Sequence, residues 1–164
     1  MSPGDVTAHA ISFEHVVVLF PVAQALHVWE EWPGFPRWAR RFASPRYSDR
    51  EYVVTHVAAV SAALLAALLV RALPNPIVIF VFFALIFGPG VSWNAVFHTG
   101  AALRSRAYCP GVVTGLLVYV PLSAALTVLA VRDGLIGGPT LGAAYALALV
   151  FHTFEVGHNV FKRW

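Results

Sequence analysis

His27, Glu30 and Glu31 stand at i, i+3 and i+4, and a helical step of about 100° per residue places one imidazole and two carboxylates within an arc of roughly 100°. Such a trio can bind a divalent metal ion, or hold a general acid beside a general base. Asn94 and His98 repeat the i, i+4 relation farther along the chain. Near the end, His152, Glu155 and Asn159 follow i, i+3 and i+7, with His158 turned about 60° from Glu155. His56 adds another imidazole. These residue types, in this number, are the raw material of a metal site or of proton transfer.

The elements that must position them are hydrophobic helices. Of 164 residues, 59% are hydrophobic and 12% charged, against about 45–50% and about 25% in an ordinary soluble domain. The unbroken apolar run from Ile79 to Phe87 has no polar alternation that would suit a strand with a wet face. Because a helix needs roughly 20 residues to cross the hydrocarbon, the expected fold is all-α. It is an integral membrane bundle, a single transmembrane domain over 1–164, with spans at about 12–31, 53–73, 76–98, 111–131 and 139–160. Pro74-Asn75-Pro76, Arg132-Asp133-Gly134 and Gly137-Gly138-Pro139 supply tight turns. The first span is interrupted by Glu14, His15, Pro21, Gln24 and His27. It is read as crossing because an odd number of spans reconciles the charges of every loop.

With five spans, Arg37, Arg40, Arg41, Arg46 and Arg50 fall on the same side as Arg104, Arg106, Lys162 and Arg163, and only Arg71 and Arg132 fall on the other. Basic loops stay cytoplasmic, so the expectation is an inner (plasma) membrane protein with its N-terminus outside and its C-terminus cytoplasmic. Phe35, Trp38 and Phe42 share one face of a short segment whose other face carries Arg37, Arg40 and Arg41. That pattern predicts an interfacial helix with its rings in the headgroup layer. Cys109 is the single cysteine, which rules out an internal disulfide. No Lys or Arg precedes the first hydrophobic stretch, so the chain lacks the basic start of a secretory signal and is read as mature. The net charge of +3 reports orientation here, and no phosphate loop, repeat or low-complexity segment supports a nucleic-acid partner.

The same span assignment places His27, His56, His98, His152 and His158 with Glu30, Glu31 and Glu155 at the cytoplasmic ends of four helices. Ionisable groups near the centre of a bilayer cost roughly 2.5–3.5 kcal/mol each on insertion scales. Taken singly, each has an ordinary explanation: wet near the headgroups, or a helix–helix hydrogen bond for Asn94. Equivalent positions of His27, His98 and His152 on three helices are harder to attribute to scatter and predict a shared site.

The ordered motifs His27-x-x-Glu30-Glu31, Asn94-x-x-x-His98 and Tyr108-x-Pro110-Gly111-x-x-Thr114 resemble the HXXEE family of small bacterial membrane proteins. That resemblance implies the fold and marks His27, Glu30, Glu31, Asn94 and His98 as signature positions. It brings no settled activity with it. His152, Glu155 and His158 rest on helix geometry alone.

Three functions suit this inventory. The first is a metal-dependent membrane enzyme holding one or two ions, zinc or iron, on His27, Glu30, Glu31, His56, His98, His152, Glu155 and His158. Zinc hydrolysis or di-iron oxygen chemistry would fit, with Glu31 or Glu30 left free as a base and Asn94 assisting. Its substrate would be lipophilic, drawn from the membrane lipid around it. The second is a metal-free acid–base isomerase or cyclase of an isoprenoid or sterol-like lipid, with Trp29, Trp32 and Trp93 stabilising cationic charge. The third is a non-enzymatic metal-binding, transport or sensor protein. The third and fourth spans offer few polar residues beyond Ser92, Thr114 and Ser123, which disfavours a continuous ion path.

Overall fold

A computed structural model describes residues 11–162, and among these residues every regular element is helical. The elements are α1 (Phe13–Val17), α2 (Leu19–Glu31), α3 (Gly34–Phe42), α4 (Asp49–Ala72), α5 (Pro76–Ser105), α6 (Val112–Arg132) and α7 (Gly138–Asn159). α4 through α7 are each long and apolar enough to cross a bilayer.

Helix starts follow capping chemistry. Ser48 accepts from the Glu51 N–H while Glu51 accepts from the Ser48 N–H, a capping box that opens α4. Asn75 accepts from the N–H groups of Ile77 and Val78, with Pro76 in the first turn of α5. α5 and α6 contain wide i→i+5 turns over Phe82–Trp93 and Gly115–Tyr119. In α5 the wide turns accommodate Pro89, which has no N–H to give an ordinary helix. They also bring α5 against α7. A Cβ on Gly88 would lie 2.2 Å from the Phe83 carbonyl oxygen and 2.7 Å from the Ala148 Cβ. Lipid tails offer no hydrophobic drive between helices, so close contact through small residues is what holds such pairs together.

The segment expected to span 12–31 is a pair of helices broken at Val18, and neither is long enough alone to cross. Together they still run the whole length of α6. At one end the Phe13 N–H donates to Asp133 Oδ2 at 2.8 Å. At the other, His27 Nδ1 lies 2.8 Å from Thr114 Oγ1. Between them, Phe13, Phe20, Phe82, Phe83 and Phe87 form an edge-to-face aromatic core.

The helix of the third span runs on past 98 through Ser105 and stops at Arg106 with φ 50°; nothing from Thr99 to Ser105 breaks a helix. One expectation needs correction. The rings of α3 do not all face lipid. Phe35 and Trp38 are buried, with Phe35 packed on Tyr47, Tyr52 and His98, while Phe42 is exposed. Gly34 lets α3 fold back this closely, since a Cβ there would lie 2.8 Å from Pro110 Cγ. α3 thus lids the polar end of the bundle. The charge asymmetry persists by position: α3, the 43–48 loop, the first turn of α4 and the end of α5 carry the basic residues at this end, whereas Arg71 and Arg132 lie at the other. Arg163 lies outside the described residues.

Candidate metal centre

Glu31 sits at the last turn of α2, fully buried, and is the hub of the polar end. Its Oε1 lies 3.1 Å from His98 Nε2 and 3.6 Å from His27 Nε2. Its Oε2 lies 2.9 Å from His56 Nε2 and accepts from the Tyr52 hydroxyl at 3.0 Å. One carboxylate therefore meets imidazoles from α2, α4 and α5.

The far nitrogens of those rings are held too. His27 Nδ1 is 2.8 Å from Thr114 Oγ1, and the Thr114 hydroxyl donates to Glu30 Oε2. With its one proton directed at Glu30, Thr114 must accept from His27 Nδ1, which leaves the lone pair of a neutral His27 on Nε2. That Nε2 has no hydrogen-bond partner. His98 Nδ1 lies 3.4 Å from Cys109 Sγ. Burial, with the Glu31 and Glu30 charges behind it, pushes the Cys109 thiol up to about 12, so it stays protonated. Its sulfur also lies 3.9 Å from the Pro110 carbonyl oxygen. His27 Nε2 thus turns a lone pair toward Glu31 Oε1, and His98 Nε2 meets the same oxygen at hydrogen-bond distance.

Those donors fit a metal ion. His27, Glu31 and His98 each offer a ligand atom within 4.8 Å of the others. Bond lengths of about 2.0–2.2 Å around a tetrahedral ion imply ligand–ligand edges of about 3.3 Å, and the separations of Glu31 Oε1 from the two imidazole nitrogens straddle that value.

Gly111 is what lets the rings meet. It has φ 99°, which favours glycine, and a Cβ there would lie 2.7 Å from His98 Cε1 and 2.8 Å from His27 Cε1.

Glu30 does not join this group. Its Oε1 accepts from the Tyr108 hydroxyl at 2.6 Å and from the N–H groups of Gly111 and Val113, both at 3.0 Å. Its Oε2 accepts from the Thr114 N–H at 2.6 Å and from the Thr114 hydroxyl. The expected metal or base role thus gives way to an anion bound at the N-terminus of α6, where free N–H groups and the helix dipole favour it. One residue of helix separates Glu30 from Glu31 by about 100°, enough to aim them at different neighbours. Burial and the Glu30 carboxylate in turn push the Tyr108 phenol up to about 12.

The remaining candidates surround a cavity of about 620 Å³ beside Glu31 and His98. His56, Asn94, His152, Glu155 and His158 all line it. His152 is buried with neither ring nitrogen partnered, and Asn94 Oδ1 is also buried without a partner. His56 donates from Nδ1 to the Tyr52 carbonyl at 2.7 Å and stacks on the Tyr52 ring. His158 is exposed at the mouth, as its flanking position on α7 predicts. Trp29, Trp32 and Trp93 do not line the cavity. Trp29 is 79% exposed, and Trp93 donates to the Tyr145 carbonyl.

Sequence reasoning missed Tyr52, Tyr119, Gln24 and Cys109 as supporting residues. Tyr119 stacks on His27 and donates to buried Gln24 at 2.8 Å. Gln24 had a signal, since it lies three residues before His27 on the same face of α2.

A family model described as a protein of unknown function with HXXEE motif matches residues 18–126. No curated protein and no solved structure matches the chain.

Proposed function

The chain belongs to the HXXEE family, and from that premise we propose that it is a membrane enzyme that holds a divalent metal ion, zinc or iron, on His27 Nε2, His98 Nε2 and Glu31 Oε1 and acts on a lipophilic substrate at the polar end of the bundle. The observation that carries this is one unpaired ligand atom: His27 Nε2, fixed by the Thr114–Glu30 relay, has no hydrogen-bond partner and faces a buried carboxylate. A buried pair of acceptors facing each other is costly unless a cation lies between them.

When bound, the ion supplies Lewis acidity to an oxygen of the substrate or to water. The chain supplies the rest. Tyr52 and His56 hold the second oxygen of Glu31 and so fix the plane of the carboxylate. His56 donates from Nδ1 to a carbonyl and faces Glu31 with Nε2, so it carries both protons and is the acid of the site. Its side chain is 16% exposed, enough to hand a proton into the cavity. Asn94 and His152 offer unpartnered polar atoms that would orient the substrate. His152 and Glu155, expected as ligands, would serve a second ion if one binds.

Detergent-purified protein from cells grown with zinc and iron should retain about one ion per chain after extensive dialysis. A His27→Ala and His98→Ala double variant that stays folded should retain none. Folded wild-type protein without metal would sink the proposal.

A second reading keeps the acid–base chemistry without metal, and the hydrogen bond from His56 to Glu31 favours it, since at 2.9 Å it already joins an acid to a base. In that case Cys109 donates its S–H to His98 Nδ1, and His98 carries its proton on Nε2 toward Glu31. Metal-free protein that remains active would establish it.

A further inference from the structure

The cavity beside Glu31 does not end at its polar lining. A narrower hollow of about 140 Å³ shares Gln24, Ala59, Pro89, Gly90 and Glu155 with it. The residues found only in the hollow lie three or four positions closer to the far side of the bundle: Phe20 below Gln24, Ala62 below Ala59, Ile86 below Gly90, and Phe151 below Glu155. That is about one helical turn, or about 5 Å, on each of four helices. The hollow therefore extends the polar chamber parallel to the helix axes, in the direction that lipid chains run. Alanine and glycine keep it open, and a Cβ on Gly90 would meet nothing within 4 Å. Leu85 and Phe151 at its edge are exposed on the outer surface of the bundle.

The chamber above it asks for a particular partner. His152 is only 9% exposed, yet both its ring nitrogens lack partners, and so does the buried Asn94 Oδ1. A neutral imidazole offers one N–H and one lone pair, and the amide oxygen offers lone pairs only. The matching group both donates and accepts hydrogen bonds, as a hydroxyl or an amide does. A carboxylate or a phosphodiester accepts but cannot donate, so neither satisfies both.

We propose that the ligand of this cavity is a single-chain amphiphile, its hydrocarbon chain passing through the hollow between α4 and α7 and out past Leu85 and Phe151, and its neutral hydroxyl or amide head beside Asn94 and His152. Calling that ligand the substrate rests on the proposed function; its binding does not.

The test uses the full chain in phosphatidylcholine nanodiscs with a hexadecanol analogue carrying a photoreactive diazirine in mid-chain. Crosslinks should map to the hollow around Ala62, Ile86 and Phe151. Excess hexadecanol or hexadecanamide should suppress them, the stronger competitor telling hydroxyl from amide, while hexadecane and hexadecanoate should not. Gly90→Leu and Ala62→Leu, which fill the hollow, should each cut labelling about tenfold. Labelling spread evenly over the outer helices, equal competition by hexadecane, or unchanged labelling in both filled variants would overturn the proposal. Metal content of the same samples separates the two proposals: labelling in the hollow of metal-free protein would leave this one standing while the metal centre fell.

Discussion

Glu30 and Glu31 are neighbours in sequence, yet one carboxylate is enclosed by imidazoles and the other is spent on the start of α6. The division gives Glu30 an indirect role. By taking the Thr114 proton it makes Thr114 an acceptor, and so keeps the His27 lone pair on the nitrogen that faces Glu31. Glu30→Ala should therefore weaken metal binding about 10–100-fold, as loss of a partner that orients a ligand does. It should also cost about 1–2 kcal/mol of stability, as loss of a helix cap does. Thr114→Val should weaken metal binding with a smaller loss of stability. Chelator competition and thermal unfolding measure both, and metal affinity untouched by Glu30→Ala would remove the positioning role. Tyr108 provides a pH readout of the same latch. Its folded value of about 12 lies above the usual 10.0, so the stability from its bond to Glu30 is complete below pH 10 and is lost as pH rises through 12. The difference in phenolate absorbance between wild type and Tyr108→Phe should titrate near 12, and a midpoint at the ordinary tyrosine value would mean that the latch is open in solution.

Among the elements, α6 decides whether the histidines can meet, because its entry at Pro110-Gly111 passes directly over both rings. Gly111→Ala combines a left-handed φ, costing about 1–3 kcal/mol, with contacts under 3 Å to His27 and His98. The expected result is a folded bundle that binds metal weakly; unchanged metal content would mean that the rings have room the geometry denies. Much of this scale was legible in the sequence. The apolar runs located α4 to α7, the i, i+4 spacing placed His27 with Glu31, and the placement of His56, His98 and His152 toward the same end of their helices predicted a common depth. What was hidden depended on rotation and partners. A face shared by His27, Glu30 and Glu31 was a sound helical projection, but the free N–H groups at the start of α6 that capture Glu30 lie 81 to 84 residues away in the chain. The wide turns over Phe82–Trp93 change the phase of α5, so no regular projection from its apolar half gives the direction of Asn94. Phe35 and Trp38 looked like lipid-facing rings because their pattern is the same whether the apolar partner is lipid or protein.

At the scale of the whole molecule the two ends are chemically unlike. One holds the buried histidines, Glu31, the cavity and the basic residues of α3 and its neighbours, while the other is closed by the short turns at Pro74 and Asp133. Basic loops resist translocation, so the end with the site is expected to face the cytoplasm, and its substrate would enter from the inner leaflet. Cysteine labelling can read this directly, because the native Cys109 is buried and should not react. Leu73, 53% exposed in the α4–α5 turn, and Pro45, exposed in the loop before α4, lie at opposite ends. In intact cells, Leu73→Cys should react with a membrane-impermeant maleimide, while Pro45→Cys should react only after the cells are opened. The reverse pattern would invert the orientation and move the cavity to the outer leaflet. Reaction of both in intact cells would mean that α4 does not carry the chain across between these two positions, and the five-span arrangement itself would be wrong.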